Sequence, residues 1–97
     1  ALVEEAVSVG DLVRLMTLRQ GQANLVELTL PDASPLSGTR VGDITFPPDA
    51  TLVTIVREGR VIAPTADDPL EGGDELLFVA VPEVEPALQE MLNPHEG

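Results

Sequence analysis

The stretch TLVTIVREGRVIAPT, residues 51–65, decides the fold. Two runs rich in β-branched side chains meet at Glu58-Gly59, and a two-residue loop carrying glycine is the commonest hairpin connection. Closing the hairpin there sets Arg57 opposite Arg60, Ile55 opposite Ile62 and Val53 opposite Pro64. Side chains alternate along a strand, so all six residues share one face: two guanidiniums at the end of an aliphatic strip. Like charges directly opposite each other are mildly destabilising, and the pair asks for an anion. That anion is a carboxylate of the same chain, an acidic group of a partner chain, or a ligand phosphate held by bidentate hydrogen bonds. A longer turn is the remaining alternative, and it places the two arginines on different faces.

Outward from the hairpin, ELLFVAV (75–81) is almost wholly apolar, the pattern of a central strand buried on both faces. ANLVELTL (23–30) alternates, with Val26, Leu28 and Leu30 on one side and Glu27 and Thr29 on the other, as a half-buried strand does. Between these runs, PDASPLSG (31–38) and ADDPLEGGD (66–74) are turn chemistry. Leu36, Val41 and Ile44 anchor a short helix that FPPDA breaks. From Pro82 onward Val84, Ala87, Leu88, Met91 and Leu92 repeat at helical spacing, with Pro82 and Pro86 near the start and Asn93-Pro94 at the stop. Leu2, Ala6, Val9, Val13 and Met16 are spaced by three or four, which predicts a helix over 2–19 ended by Gly21. The expected order is helix, strand, short helix, three strands, helix. This is an α+β domain, a sheet of about four strands with helices on one face, preceded by a helical connector over 1–22.

Composition narrows the functions. Five basic residues against 17 acidic give a net charge of −12, which opposes binding to nucleic acid or to anionic lipid. Phe46 and Phe78 are the only aromatics, so the core is aliphatic. With no cysteine there is no disulfide framework and no thiolate metal site. No run reaches the roughly 20 apolar residues of a membrane-spanning helix, and no stretch of these residues is expected to act as a signal peptide. The chain opens on Ala1 and reads as part of a longer protein.

The catalytic inventory is poor. The single histidine, His95, sits in the terminal NPHEG, and there is no lysine to activate a serine or threonine. The expectation is a protein that is not an enzyme. The acidic loop Asp67, Asp68, Glu71, Asp74 and Glu75 raises a divalent-cation sensor as an alternative. It lacks the alternating ligands of a calcium loop, and Pro69 stiffens it.

The ordered set of short motifs resembles the C-terminal domain of the regulator-of-potassium-conductance family, called RCK-C or TrkA-C. The residues that carry it are Val26-Glu27-Leu28, Ser34-Pro35-Leu36 with Gly38, and the run from Leu52 into Arg57. Ile62 with Pro64 and Gly73-Asp74-Glu75-Leu76-Leu77 complete the set. The resemblance implies a cytoplasmic regulatory domain of a bacterial potassium or other cation transport system. It implies pairing as a homodimer and action on a membrane transporter or channel through the full-length protein. It also implies that the domain follows a nucleotide-binding domain, and with no G-x-G-x-x-G after a strand, no NAD or ATP site is expected within these residues. Some members bind cyclic di-AMP at the dimer interface, through I-I-x-x-D-x-R at the short helix, an Asn entering the next strand, and a Pro after the hairpin. Here Val41-Gly42-Asp43-Ile44-Thr45-Phe46-Pro47 occupies the first, Thr51 lies near the second, and Pro64 alone carries over. The candidate ligand residues come from the hairpin geometry and not from that motif: Val53, Ile55, Arg57, Arg60, Ile62 and Pro64, with cyclic di-AMP as the ligand the resemblance suggests. A ligand-free dimerisation scaffold is the competing reading.

Overall fold

The turn at Glu58-Gly59 closes with both residues in the left-handed region, Glu58 at φ 53° and Gly59 at φ 79°. That is the type I′ geometry whose twist matches the flanking strands. The computed structural model describes residues 12–18 and 22–94. Its strands are β1 (Val13–Thr17), β2 (Asn24–Thr29), β3 (Ala50–Arg57), β4 (Arg60–Ile62) and β5 (Glu75–Ala80). Short 3-10 turns cover Val41–Asp43 and Pro82–Val84, and one helix, α1, spans Glu85–Leu92. All pairings are antiparallel, and the strand order is β1-β2-β5-β3-β4. The run 75–80 is thus the central strand, hydrogen-bonded to β2 and β3.

One face of this sheet is the core. Val26 and Leu28 of β2, Ile55 of β3 and Leu76 and Phe78 of β5 are wholly buried there. Leu88 and Leu92 of α1 and Leu30 and Leu70 from the loops close over them. Each such side chain contributes about 1.5–3 kcal/mol by leaving water, so this aliphatic layer dominates the stability. The two phenylalanines meet edge to face across it, with ring centroids 5.3 Å apart. Segments 38–42 and 66–70 run together through backbone bonds such as Gly38 N–H to Leu70 O and Val41 N–H to Asp68 O. The loop 66–74 is held beside the β3–β4 hairpin by Arg57, which reaches Pro69 and Asp74.

The other face follows from register. Its cross-strand rows are Met16, Leu25, Val79 and Thr51, then Val13, Glu27, Leu77 and Thr54, then Thr29, Glu75, Val56 and Val61. None of these residues is fully buried. The expectation that ELLFVAV is buried on both faces is corrected here: Leu76, Phe78 and Ala80 are buried, while Leu77 and Val79 stay half-exposed.

The expected N-terminal helix is also corrected. Residues 13–17 form β1, paired antiparallel with β2, so the sheet has five strands rather than about four. The rest of that expected helix, residues 2–11 and Arg19, lies outside the described residues, as do Gly21 and His95. The reason for the mismatch is a register shift between Arg14 and Met16. The extra residue places Val13 and Met16 on the same face, three positions apart, so a bulged strand reproduces helical spacing. The short helix expected around Leu36, Val41 and Ile44 is a single 3-10 turn at Val41–Asp43.

Candidate functional site

Arg57 and Arg60 sit directly opposite each other at the end of the hairpin, as do Ile55 and Ile62 one row below. Both pairs lie on the core side of the sheet. From there the two arginines diverge. The Arg57 guanidinium turns in over the loop 66–74. Its Nε donates to Asp74 Oδ1 at 2.7 Å and its Nη2 to Asp74 Oδ2 at 2.8 Å, a bidentate pair. Nη2 also donates to the Pro69 carbonyl at 3.1 Å, and Nη1 stands 3.2 Å from Glu71 Oε2. Hydrogen bonding to Asp74 holds the Arg57 pKa above its ordinary value, against the opposing effect of burial.

Asp74 is 1% exposed, and its Oδ2 also accepts the Glu71 N–H at 2.9 Å. Asp68 Oδ2 accepts the Thr65 N–H at 2.8 Å. These carboxylates brace turns and neutralise Arg57. Among the described residues no three acidic or histidine side chains converge as metal ligands do.

Arg60 is exposed, and no carboxylate of the described residues pairs with it. Below it Ile62 is half-buried and Ile55 fully buried, while Pro64 is half-buried just past the end of β4. Val53 departs from the expected arrangement. A register shift between Leu52 and Thr54 makes it the extra residue of a β-bulge, 42% exposed and off the face of Ile55 and Arg57. The ladder with β4 ends at Ile55↔Ile62, so Val53 has no partner in Pro64. The surface that the hairpin offers is Arg60, Ile62 and Pro64, with Arg57 supporting it from behind.

Sequence reasoning missed a second polar cluster. Glu85, 8% exposed at the start of α1, accepts from Arg14 Nη2 at 2.8 Å and from Asn24 Nδ2 at 2.6 Å. The bond to Glu85 raises the Arg14 pKa. The Leu12 N–H donates to Gln89 Oε1 at 2.6 Å one turn further along α1. These contacts fasten β1 to the helix. The only signal in the sequence was an acid on the inward side of a helical pattern, and its partners are 61 and 71 residues away.

The TrkA-C domain model matches residues 25–93. The Trk system potassium uptake proteins TrkA of two Mycobacterium tuberculosis strains are each 63% identical over 94 residues, covering 97% of this chain and 43% of theirs. The Trk system potassium uptake protein TrkA homolog of Archaeoglobus fulgidus is 24% identical over 83 residues, 82% of this chain and 19% of its own length. The chain therefore spans less than half the length of these relatives. A solved structure described as an RCK domain with cda superposes at a TM-score of 0.64 with 25% identity, over 71% of this chain and 97% of that one. The GsuK RCK domain superposes at 0.73 over 86% of this chain and 18% of that one; at 15% identity it bears on the fold alone. The matched residues take in β2 to β5, the hairpin and α1, and on that ground the chain belongs to the TrkA-C domain family.

Proposed function

We propose that this chain is a non-catalytic regulatory domain of a potassium transport system, sensing a small anionic ligand where two copies meet along the β3–β4 hairpin. Cyclic di-AMP is the ligand to try first. The family, the potassium uptake proteins among its relatives, and the solved RCK domain with cda support the reading. The observation that carries it is Arg60: a guanidinium with no anion among the described residues, beside a twin that has several, on a short edge strand.

A two-fold pairing along β4 brings two Arg60 side chains near one axis. Their mutual repulsion disfavours that arrangement until a ligand with two phosphates bridges them, and Ile62 and Pro64 supply apolar contact for its bases. The ligand acts only through its different affinity for two dimer arrangements. In the whole protein that difference passes to a membrane transporter, with the domain on the cytoplasmic side. The divalent-cation reading gains no support, because Asp74 and Asp68 are committed to Arg57 and to turn N–H groups.

Calorimetry and sedimentation with cyclic di-AMP test the reading. Binding is expected to favour the dimer, and Arg60→Ala is expected to weaken it about tenfold or more with no change in melting temperature. Unchanged affinity in Arg60→Ala removes the site. A dimer that ignores every nucleotide offered leaves the scaffold reading in its place.

A further inference from the structure

The face of the sheet opposite the core has an unusual composition for a chain of net charge −12. Of the twelve residues in its three rows, seven are aliphatic or Met, three are Thr and two are Glu, with no cation among them. All the described helical turns and loops that bury the core lie on the opposite side. Met16 and Val61 are 53% and 78% exposed. The two glutamates, Glu27 on β2 and Glu75 on β5, are diagonal neighbours near the middle of the sheet, because Glu27 pairs with Leu77. Two carboxylates together on an apolar surface repel each other and lose hydration.

We propose that this face docks a basic amphipathic helix of a partner protein, apolar residues against the aliphatic rows and one Lys or Arg between Glu27 and Glu75. Charge decides the occupant. A second copy of this chain adds another −12 and, centred on the apolar rows, sets one carboxylate pair against another. A cation at the same place relieves the repulsion and pairs bidentately with both groups. Size agrees: five strands about 4.8 Å apart present a face about 19 Å wide, the length of about 13 helical residues. Burial raises the Glu27 pKa, and the charge and hydrogen bonding of Glu75 raise it further. The proposal is distinct from the hairpin ligand, since Arg60 and Ile62 lie on the core side of the sheet and the three rows lie on the other.

The test uses two labelled amphipathic peptides of about 14 residues, leucine-faced, one with a central Arg and one with a central Glu. Anisotropy titration of the chain is expected to show preference for the Arg peptide. Met16→Glu is expected to weaken that binding about tenfold, and Glu75→Lys to reverse the preference. Both positions are exposed, and unchanged circular dichroism checks the fold. Equal affinity for the two peptides overturns the proposal, as does no binding of either. Self-association of the free chain that Met16→Glu dissolves also overturns it, in favour of a second copy.

Discussion

Arg57→Ala separates the two arginines in a way that a surface reading of the hairpin does not. The substitution strands Asp74, whose side chain is 1% exposed, while Arg57 itself keeps 25% of its side-chain surface. Removing one partner of a fully buried pair costs about 3–5 kcal/mol, chiefly because the remaining charge is left without compensation. Arg57 is partly hydrated, and Asp74 keeps the Glu71 N–H, so the expected loss here is about 2–4 kcal/mol. For a domain of this size that lowers the melting temperature by roughly 10–25 °C. Arg60→Ala, with no carboxylate partner to lose among the described residues, is expected to stay within about 0.5 kcal/mol of the parent. Urea and thermal unfolding of both variants measure the difference. Arg57→Met combined with Asp74→Leu is expected to recover about half of the Arg57→Ala loss, since a packed apolar pair replaces a broken ionic one. Equal stabilities for Arg57→Ala and Arg60→Ala would refute the assignment of Arg57 to the frame.

Three further outcomes follow from local geometry. Glu58 occupies the left-handed region at φ 53°, where Asn is better tolerated, so Glu58→Asn is expected to stabilise the chain by about 0.5–1 kcal/mol in urea unfolding. Ser34, 7% exposed, donates from Oγ to the Leu92 carbonyl at 2.6 Å and accepts the Leu36 N–H at 3.2 Å; Ser34→Ala is expected to cost about 1–2 kcal/mol and to loosen the end of α1, read by hydrogen exchange. The Glu27 pKa is raised in the folded chain, so the folded state holds more protons than the unfolded one above the ordinary glutamate pKa. Stability is therefore lost as pH rises through that interval. Glu27→Gln is expected to be the more stable chain at neutral pH, the gain vanishing below about pH 4 in unfolding curves taken across pH.

The strands of the hairpin, its register and the C-terminal helix were legible because each is a local pattern: alternation, a glycine turn, apolar residues at helical spacing. β1 was not, because a bulge put Val13 and Met16 three apart on one face. The same device hid the sidedness of β3, where Leu52 and Ile55 both face the core across the bulge at Val53. Alternation alone carries Val53 to the arginine face, and no composition signal contradicts it. The partner of Arg57 was open to inference once β3 and β5 are neighbours: Leu76 opposite Ile55 places Asp74 beside Arg57. That pairing joins segments about 20 residues apart, which a single sequence does not specify. The exposed half of β5 was misread because Leu77 and Val79 look like core residues, and a face awaiting a partner has the composition of one already buried.

The bulge at Val53 has a genetic consequence. Val53 and Thr54 together oppose the single residue Leu77, so the strand carries one residue more than its ladder uses. Loss of the Val53 codon leaves Leu52, Ile55 and Arg57 on the sides they now occupy and turns the kinked strand into a regular one. Loss of a codon from the unbulged run Ile55–Arg57 shifts sidedness toward the hairpin tip, moving the Arg57 position off the loop it holds. Length variation within β3 is thus tolerated at one point and disallowed a residue or two away.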